Sequence, residues 1–301
     1  HPEVYRLFTY RFADNQPAGK LLERLDLMIR GKEPLVAAIS NPMRRLIRNQ
    51  LGYFRAAMPG DFDLRGASIG NLILAGGYLN NHKHLDPLIF LFSKLVNVLG
   101  TVLPVVNDNL HLSAELEDGS SVTGQHRLTG KEVAPLQSPV SRLLLSSHPD
   151  RPVPAHAEMR KKYRRLIRQA ELICYPPGSF YTSLVASLLP TGVGSAIAGT
   201  DCPKVYIPNL EQDPEQIGMT LDGCVLTLLD YLRADNTGKC AKGQLLNFVL
   251  IDGKRGKYLP SVAALAKLEP EIKIIDTRLI SRKSAPYYDP ELLVAALLSL
   301  T

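Results

Sequence analysis

Apolar positions in the first hundred residues recur at helical spacing. KLLERLDLMIRG places Leu21, Leu22, Leu25 and Met28 on one side and offers Gly31 as a C-terminal stop. An Arg-rich stretch from Pro34 to Met58 predicts further helix, MPGDFDLRG (58–66) a loop, and GASIGNLILAGGYL a helix opening on small residues. DPLIFLFSKLVNVLG is apolar on most sides and predicts a buried helix. The period changes near residue 101, where TVLPVVN predicts a buried strand. LHLSAELEDGSSVTGQHRL alternates apolar and polar residues about Asp118-Gly119, a hairpin signal, and a polar, Pro-containing stretch runs on to about 154.

The second half alternates between the two periods. AEMRKKYRRLIRQ predicts a helix with Met159, Tyr163, Leu166, Ile167 and Ala170 on one face. The strands ELICYP, KVYIPNL, LLNFVLID and IKIIDTRLI are separated or followed by the helical stretches YTSLVASLL, PEQIGMTLDGCVLTLLDYLRA, PSVAALAKL and PELLVAALLSL. Near-continuous Val/Ile/Leu strands alternating with helices predict a parallel sheet covered on both faces. The simplest architecture is one doubly wound α/β domain over 1–301 with a β-hairpin insertion.

Composition keeps this picture and narrows it. The chain has 301 residues, of which 45% are hydrophobic and 21% charged, an ordinary globular balance with no Trp. The formal net charge of +6 speaks to association and not to fold. Cys174, Cys202, Cys224 and Cys240 lack any CxxC spacing, which reads as reduced thiols in a cytoplasmic protein. No apolar run reaches the roughly 18 residues a membrane span requires, so no membrane partner is expected. The start, HPEVYRLFTYRF, carries no signal-peptide pattern and reads as if it opened mid-domain.

In parallel sheets ligands bind beyond the carboxyl ends of the strands. YPPGSFYTS lies there: Gly178 frees the backbone, and Ser179, Tyr181, Thr182 and Ser183 stand where the next helix begins. Free amides and the helix dipole favour an anion at that place, although a simple N-cap explains the hydroxyls equally well. KVYIPNL sets Pro208-Asn209 at a second strand end, followed by Glu211 and Asp213, and Asn209 suits a base, a ribose, a phosphate or a helix cap. GASIGN brings Ser68, Gly70 and Asn71 to a helix start, either lining a cleft or allowing close helix contact. TGVGSAIAG fails as a dinucleotide fingerprint because Ile197 stands where a glycine is required. HKHLD offers His82 and Asp86 but no third ligand. RKKYRR reads as the solvated face of its helix, so no nucleic-acid partner is expected. No nucleophile elbow is present.

These pieces, in order, resemble one family. PPGSFYTSLVASLLP resembles the Gly-Pro-Gly-Ser-(Leu/Phe)-Tyr-Thr-Ser segment of CofD and YvcK-type proteins. KVYIPNL, GASIGNLILAG, PVVNDNLHLSAELEDGSSVTG and YDPELLVAALLSL resemble further segments of that family. The resemblance implies a Rossmann-like three-layer α/β fold that binds a nucleotide diphosphate. Its ligand would meet Gly178, Ser179, Tyr181, Thr182 and Ser183, with Asn209, Gly70 and Asn71 lining the cleft. CofD enzymes move a 2-phospholactate group from a guanosine-diphospho donor to a deazaflavin, releasing GMP, and Mg²⁺ belongs to that reading. YvcK-type proteins bind UDP-sugars and act in carbon use and cell shape, and the SFYTSL wording and EDG hairpin sit closer to them. A regulatory scaffold without a ligand is the third alternative, and a homo-oligomer is compatible with all three. Pro176 replaces the family's usual Gly, and Ala67-Ser68 replaces its His-Asn. The family's opening strand and GGGTG phosphate loop are not in this sequence, which leads to the expectation that a segment precedes His1.

Overall fold

A computed structural model describes residues 1–301 except 131–132, 212, 235–239, 241, 257, 259–263 and 268. It contains two compact units, His1–Asn107 and Asp108–Thr301.

The first unit is helical: α1 (Pro2–Thr9), α2 (Ala18–Arg30), α3 (Pro34–Ala37), α4 (Met43–Ala57), α5 (Ile69–Asn80) and α6 (Asp86–Leu95). Leu21, Leu25 and Met28 of α2 are fully buried, and Gly31 closes the helix in the left-handed conformation at φ 73°. The helical stretch expected over 34–58 is interrupted between α3 and α4 at Ser40-Asn41-Pro42, because proline disfavours helix in the residue before it and has no N–H to continue the ladder. Helices α4 and α5 meet backbone to backbone: a Cβ on Gly76 would lie 1.8 Å from the Gln50 carbonyl oxygen.

Two expectations for this unit change. Helix α6 buries Leu88 and Phe92 but exposes Phe90 by 65%, so it is a surface helix. TVLPVVN is not a strand; it is irregular, Pro104 offers no N–H to a ladder, and Val102 stands exposed.

The second unit opens with a three-stranded antiparallel sheet of order β2-β1-β3, from β1 (His111–Leu116), β2 (Ser121–Thr123) and β3 (Val140–Ser146). The hairpin turns at Asp118-Gly119 with Ala114 opposite Val122, as the alternation predicts. Strand β3 falls in the stretch read as polar; its VSRLLLS core is bracketed by Ser- and Pro-rich segments that hid it. A short helix, α7 (Gln125–Leu128), follows the hairpin.

The parallel sheet contains β4 (Ile173–Tyr175), β5 (Lys204–Tyr206), β6 (Phe248–Ile251) and β7 (Lys273–Asp276), side by side in that order. The accompanying helices are α8 (Lys161–Arg168), α9 (Val193–Ala198), α10 (Leu221–Arg233) and α11 (Pro290–Leu298). One face, carrying Val205, Ile207 and Leu250, packs on Leu293, Ala296 and Leu297 of α11. Tyr206 points to the other face, beside Cys224 of α10. Helices on both faces make the three-layer α/β fold that the alternation implies.

Helix α8 begins later than expected. Met159 is buried but extended, donating its N–H to the Thr191 carbonyl at 2.9 Å, and Leu166 is exposed. Helix α10 likewise starts at Leu221, capped by Thr220, leaving 214–219 as turns. The helix expected over PSVAALAKL (260–268) lies mostly outside the described residues; 264–267 are helical.

The α4–α5 contact is testable. Gly76→Ala is expected to destabilise the chain by about 2–3 kcal/mol, because backbone atoms cannot yield to the new methyl. Gly19→Ala, in α2 with open space around it, is expected to stabilise by about 0.5–1 kcal/mol. Urea unfolding of both variants measures the contrast, and equal effects would remove the packing explanation.

Candidate functional site

The parallel strands deliver their carboxyl ends to one edge, and the loops that leave β4 and β5 meet there. After β4 the chain turns through Pro176-Pro177 to Gly178, at φ 154°. No atom lies within 4 Å of a Cβ built there, so the backbone conformation, not crowding, requires glycine. An α-helix does not follow. Phe180–Leu184 is a π-helical turn and Val185–Ser187 a 3₁₀ turn. The Leu184 N–H reaches back five residues to the Ser179 carbonyl at 3.2 Å.

The amides expected to be free for an anion are already taken. Glu215 Oε2 accepts from the N–H groups of Tyr181 and Thr182, both at 2.8 Å, and its Oε1 accepts from the Thr182 hydroxyl at 2.5 Å. Asp213 Oδ2 accepts from the Phe180 N–H at 2.6 Å, while its Oδ1 accepts from the Glu215 N–H at 3.1 Å. Asn209 completes the join in both directions: Gly178 N–H donates to Oδ1 at 2.8 Å, and Nδ2 donates to the Gly178 carbonyl at 2.7 Å. The turn thus has the convergent amides of an anion nest, with the negative charge supplied from the loop after β5.

Tyr181 and Thr182, two of the expected ligand-contacting residues, are buried and support the loop in this arrangement. Gly178 and Ser183 are exposed, and Ser179 and Asn209 are half-buried. Ser179 makes no side-chain cap bond, so the N-cap alternative does not describe it. Gly70 and Asn71 lie in the first unit. Gly70 is buried where a Cβ would come within 2.7 Å of the Phe8 carbonyl oxygen, which is the close-contact alternative. Asn71 is exposed, its N–H directed at the Ser68 cap at 3.5 Å.

Glu215 is 1% exposed, and burial raises its carboxyl above the usual range against the lowering pull of its bonds to Thr182 and Tyr181. A cavity of about 510 Å³ opens beside the clamp, off the end of β5. Tyr206, Asn209, Gln216, Thr220, Cys224 and Tyr258 line it together with the carboxylates of Glu211 and Asp213, and among the described residues its lining contains no Lys or Arg. Gln216 holds the centre: Nε2 donates to Cys224 Sγ at 3.0 Å, and Oε1 accepts from Asn209 Nδ2 at 3.4 Å. Burial pushes the Cys224 thiol up to about 11, so it is a neutral wall group and not a nucleophile near pH 7. Tyr288 ties the region to the segment after β7, donating to the Pro208 carbonyl at 2.7 Å.

Sequence reading missed Glu215, Gln216 and Cys224 as parts of this site. The available signal was DPEQ straight after a strand, two carboxylates one residue apart, which reads equally as the acidic first turn of a helix. Among the described residues, no group of three His, Cys, Asp or Glu converges as a metal site. His82 sits in a left-handed turn at φ 51° and Asp86 opens α6, so they do not share a helix turn.

Residues 2–271 match the family model described as 2-phospho-L-lactate transferase CofD. The chain belongs to the CofD family. A gluconeogenesis factor of Listeria monocytogenes is 33% identical over 199 residues, covering 65% of this chain and 56% of the relative. That of Bacillus subtilis is 30% identical over 223 residues, covering 74% and 63%. The chain therefore spans about three-fifths of the length of these curated relatives. A crystal structure of a UPF0052 family member from Bacillus halodurans superposes with a TM-score of 0.61 at 21% identity, covering 95% of this chain and 89% of that one. It shares the fold.

The clamp gives a prediction with a sign. A buried carboxyl whose folded pKa is raised favours folding in its protonated form. That contribution is present below the unfolded pKa and is lost as pH rises through the folded one. The stability of the native chain relative to Glu215→Gln, which does not titrate, is therefore expected to fall as pH increases from the acid side towards neutrality. Glu215→Ala is expected to cost about 3 kcal/mol or more at any pH, since it strands two buried amides and a hydroxyl. Denaturant titrations of the three proteins across pH measure both, and a pH-independent Gln difference would contradict the assignment.

Proposed function

We propose that the protein binds a nucleotide diphosphate of the UDP-sugar type at the carboxyl edge of its parallel sheet, in a regulatory role in carbon metabolism or the cell envelope. The observation that carries this reading is the cavity off β5, in a chain of the CofD family whose curated relatives are named gluconeogenesis factors. Its amide, hydroxyl and thiol groups offer donors and acceptors suited to a base and sugar, and the carboxylates of Glu211 and Asp213 in its lining argue against phosphates lodging inside. The phosphates would lie along the exposed rim at Gly178, Ser179 and Ser183, with Asn209 between rim and cavity. Tyr181 and Thr182 would act indirectly by holding that rim.

The second reading, a transferase moving a phospho-acid group from a GDP-linked donor to a deazaflavin, is favoured by the description of the matching family model. Mg²⁺ would supply charge neutralisation at the phosphates in such a reaction. Asp213 and Glu215 do not fit as its ligands, because their oxygens are engaged by backbone amides and by Thr182.

Thermal-shift and calorimetric titrations with UDP-sugars, UDP, GDP and GTP provide the test. UDP-sugars are expected to raise the melting temperature. Asn209→Ala is expected to weaken binding at least about tenfold, with loss of hydrogen bonds at both the ligand and Gly178. GMP release from a GDP-linked acid in the presence of a deazaflavin would shift the conclusion to the transferase. No response to any nucleotide would leave the scaffold alternative.

A further inference from the structure

One stretch of the second unit is strongly cationic. Arg160, Lys161, Lys162, Arg164, Arg165 and Arg168 lie within nine residues that contain no acid.

Helix α8 is electrostatically unfavourable on its own terms. Arg160 is its N-cap, Lys161 and Lys162 open it, and no acidic residue stands in its first turn. Cations at that end oppose the helix dipole; only Arg165 and Arg168, in the last turn, suit it. Pairs such as Lys161–Arg165 and Arg164–Arg168 set like charges four residues apart, each a small destabilisation. Tyr163 is buried as the anchor, with Arg160 and Lys162 over its ring at 5.5 and 4.8 Å. Lys161, Lys162, Arg165 and Arg168 are exposed, and with them Leu166, which is 50% exposed where the periodicity predicted a core position.

We propose that this face of α8 docks on a membrane surface rich in anionic phospholipid. Headgroup phosphates complement the cations, and Leu166, beside Lys162 on the helix circumference, enters the headgroup–acyl boundary. A nucleic acid would answer the charge alone. It would leave Leu166 without a role, and the one aromatic of the helix, Tyr163, is buried and cannot stack on a base. The surface is independent of the nucleotide reading.

Flotation of the full chain with vesicles containing phosphatidylglycerol, against vesicles of phosphatidylcholine alone, tests the proposal. Binding is expected only to the anionic vesicles and is expected to weaken with added salt. A Lys161→Gln, Arg165→Gln, Arg168→Gln triple variant is expected to lose on the order of a hundredfold in vesicle affinity. Its melting temperature is expected to stay level or rise, because repulsion within the helix is relieved while helix propensity is kept. Leu166→Ser is expected to weaken vesicle binding several-fold and to leave any binding of duplex or single-stranded nucleic acid unchanged. No binding of the native chain to anionic vesicles, or equal binding by the folded triple variant, would overturn the proposal. So would salt-sensitive nucleic-acid binding accompanied by no effect of Leu166→Ser on vesicles.

Discussion

Two carboxylates brought against a row of backbone amides organise the second unit of this protein. Asp213 and Glu215 occupy the N–H groups of Phe180, Tyr181 and Thr182, and Asn209 fastens Gly178 by both its N–H and its carbonyl. Buried amides must find acceptors, and no segment of regular structure supplies them here. The loop after β5 does so instead, with side chains. As a result the loops leaving two neighbouring strands form one body at the sheet edge, and the π-helical turn is held in a form that a free helix start would not keep.

The fold was largely legible because its signals are periodic. Leu21, Leu25 and Met28 repeat at helical spacing and are the residues buried in α2. Val205, Ile207 and Leu250 sit in short apolar runs and form one face of the sheet. Failures occurred where a local pattern has two physical solutions. TVLPVVN has the apolar content of a strand, but pairing is a property of the partner and not of the segment. Leu166 keeps helical spacing with Tyr163 only approximately, and the helix buries the stripe centred on Tyr163, leaving the leucine at its flank.

The site was legible by place and less so by role. Strand ends can be read from apolar runs, which is why the position of Gly178, Ser179 and Asn209 at the carboxyl edge of the sheet could be read. What each amide donates to cannot be read, because the acceptors lie more than thirty residues away, as with Tyr181 and Glu215 at a separation of 34. The DPEQ stretch became meaningful only when the turn that it serves was seen beside it. Membership of the CofD family added the order of the segments as a constraint that no single motif carries.

The contact between α4 and α5 has a consequence for how this chain changes over time. Where two helices touch through backbone at Gly76, the interface has no side chain to trade for another, so compensation by a neighbour of different size is closed off. A substitution there could be accommodated only by moving a whole helix, and hence every residue attached to it. Sequence drift should therefore flow around this crossing point, through the exposed faces of the two helices, while the crossing itself stays fixed.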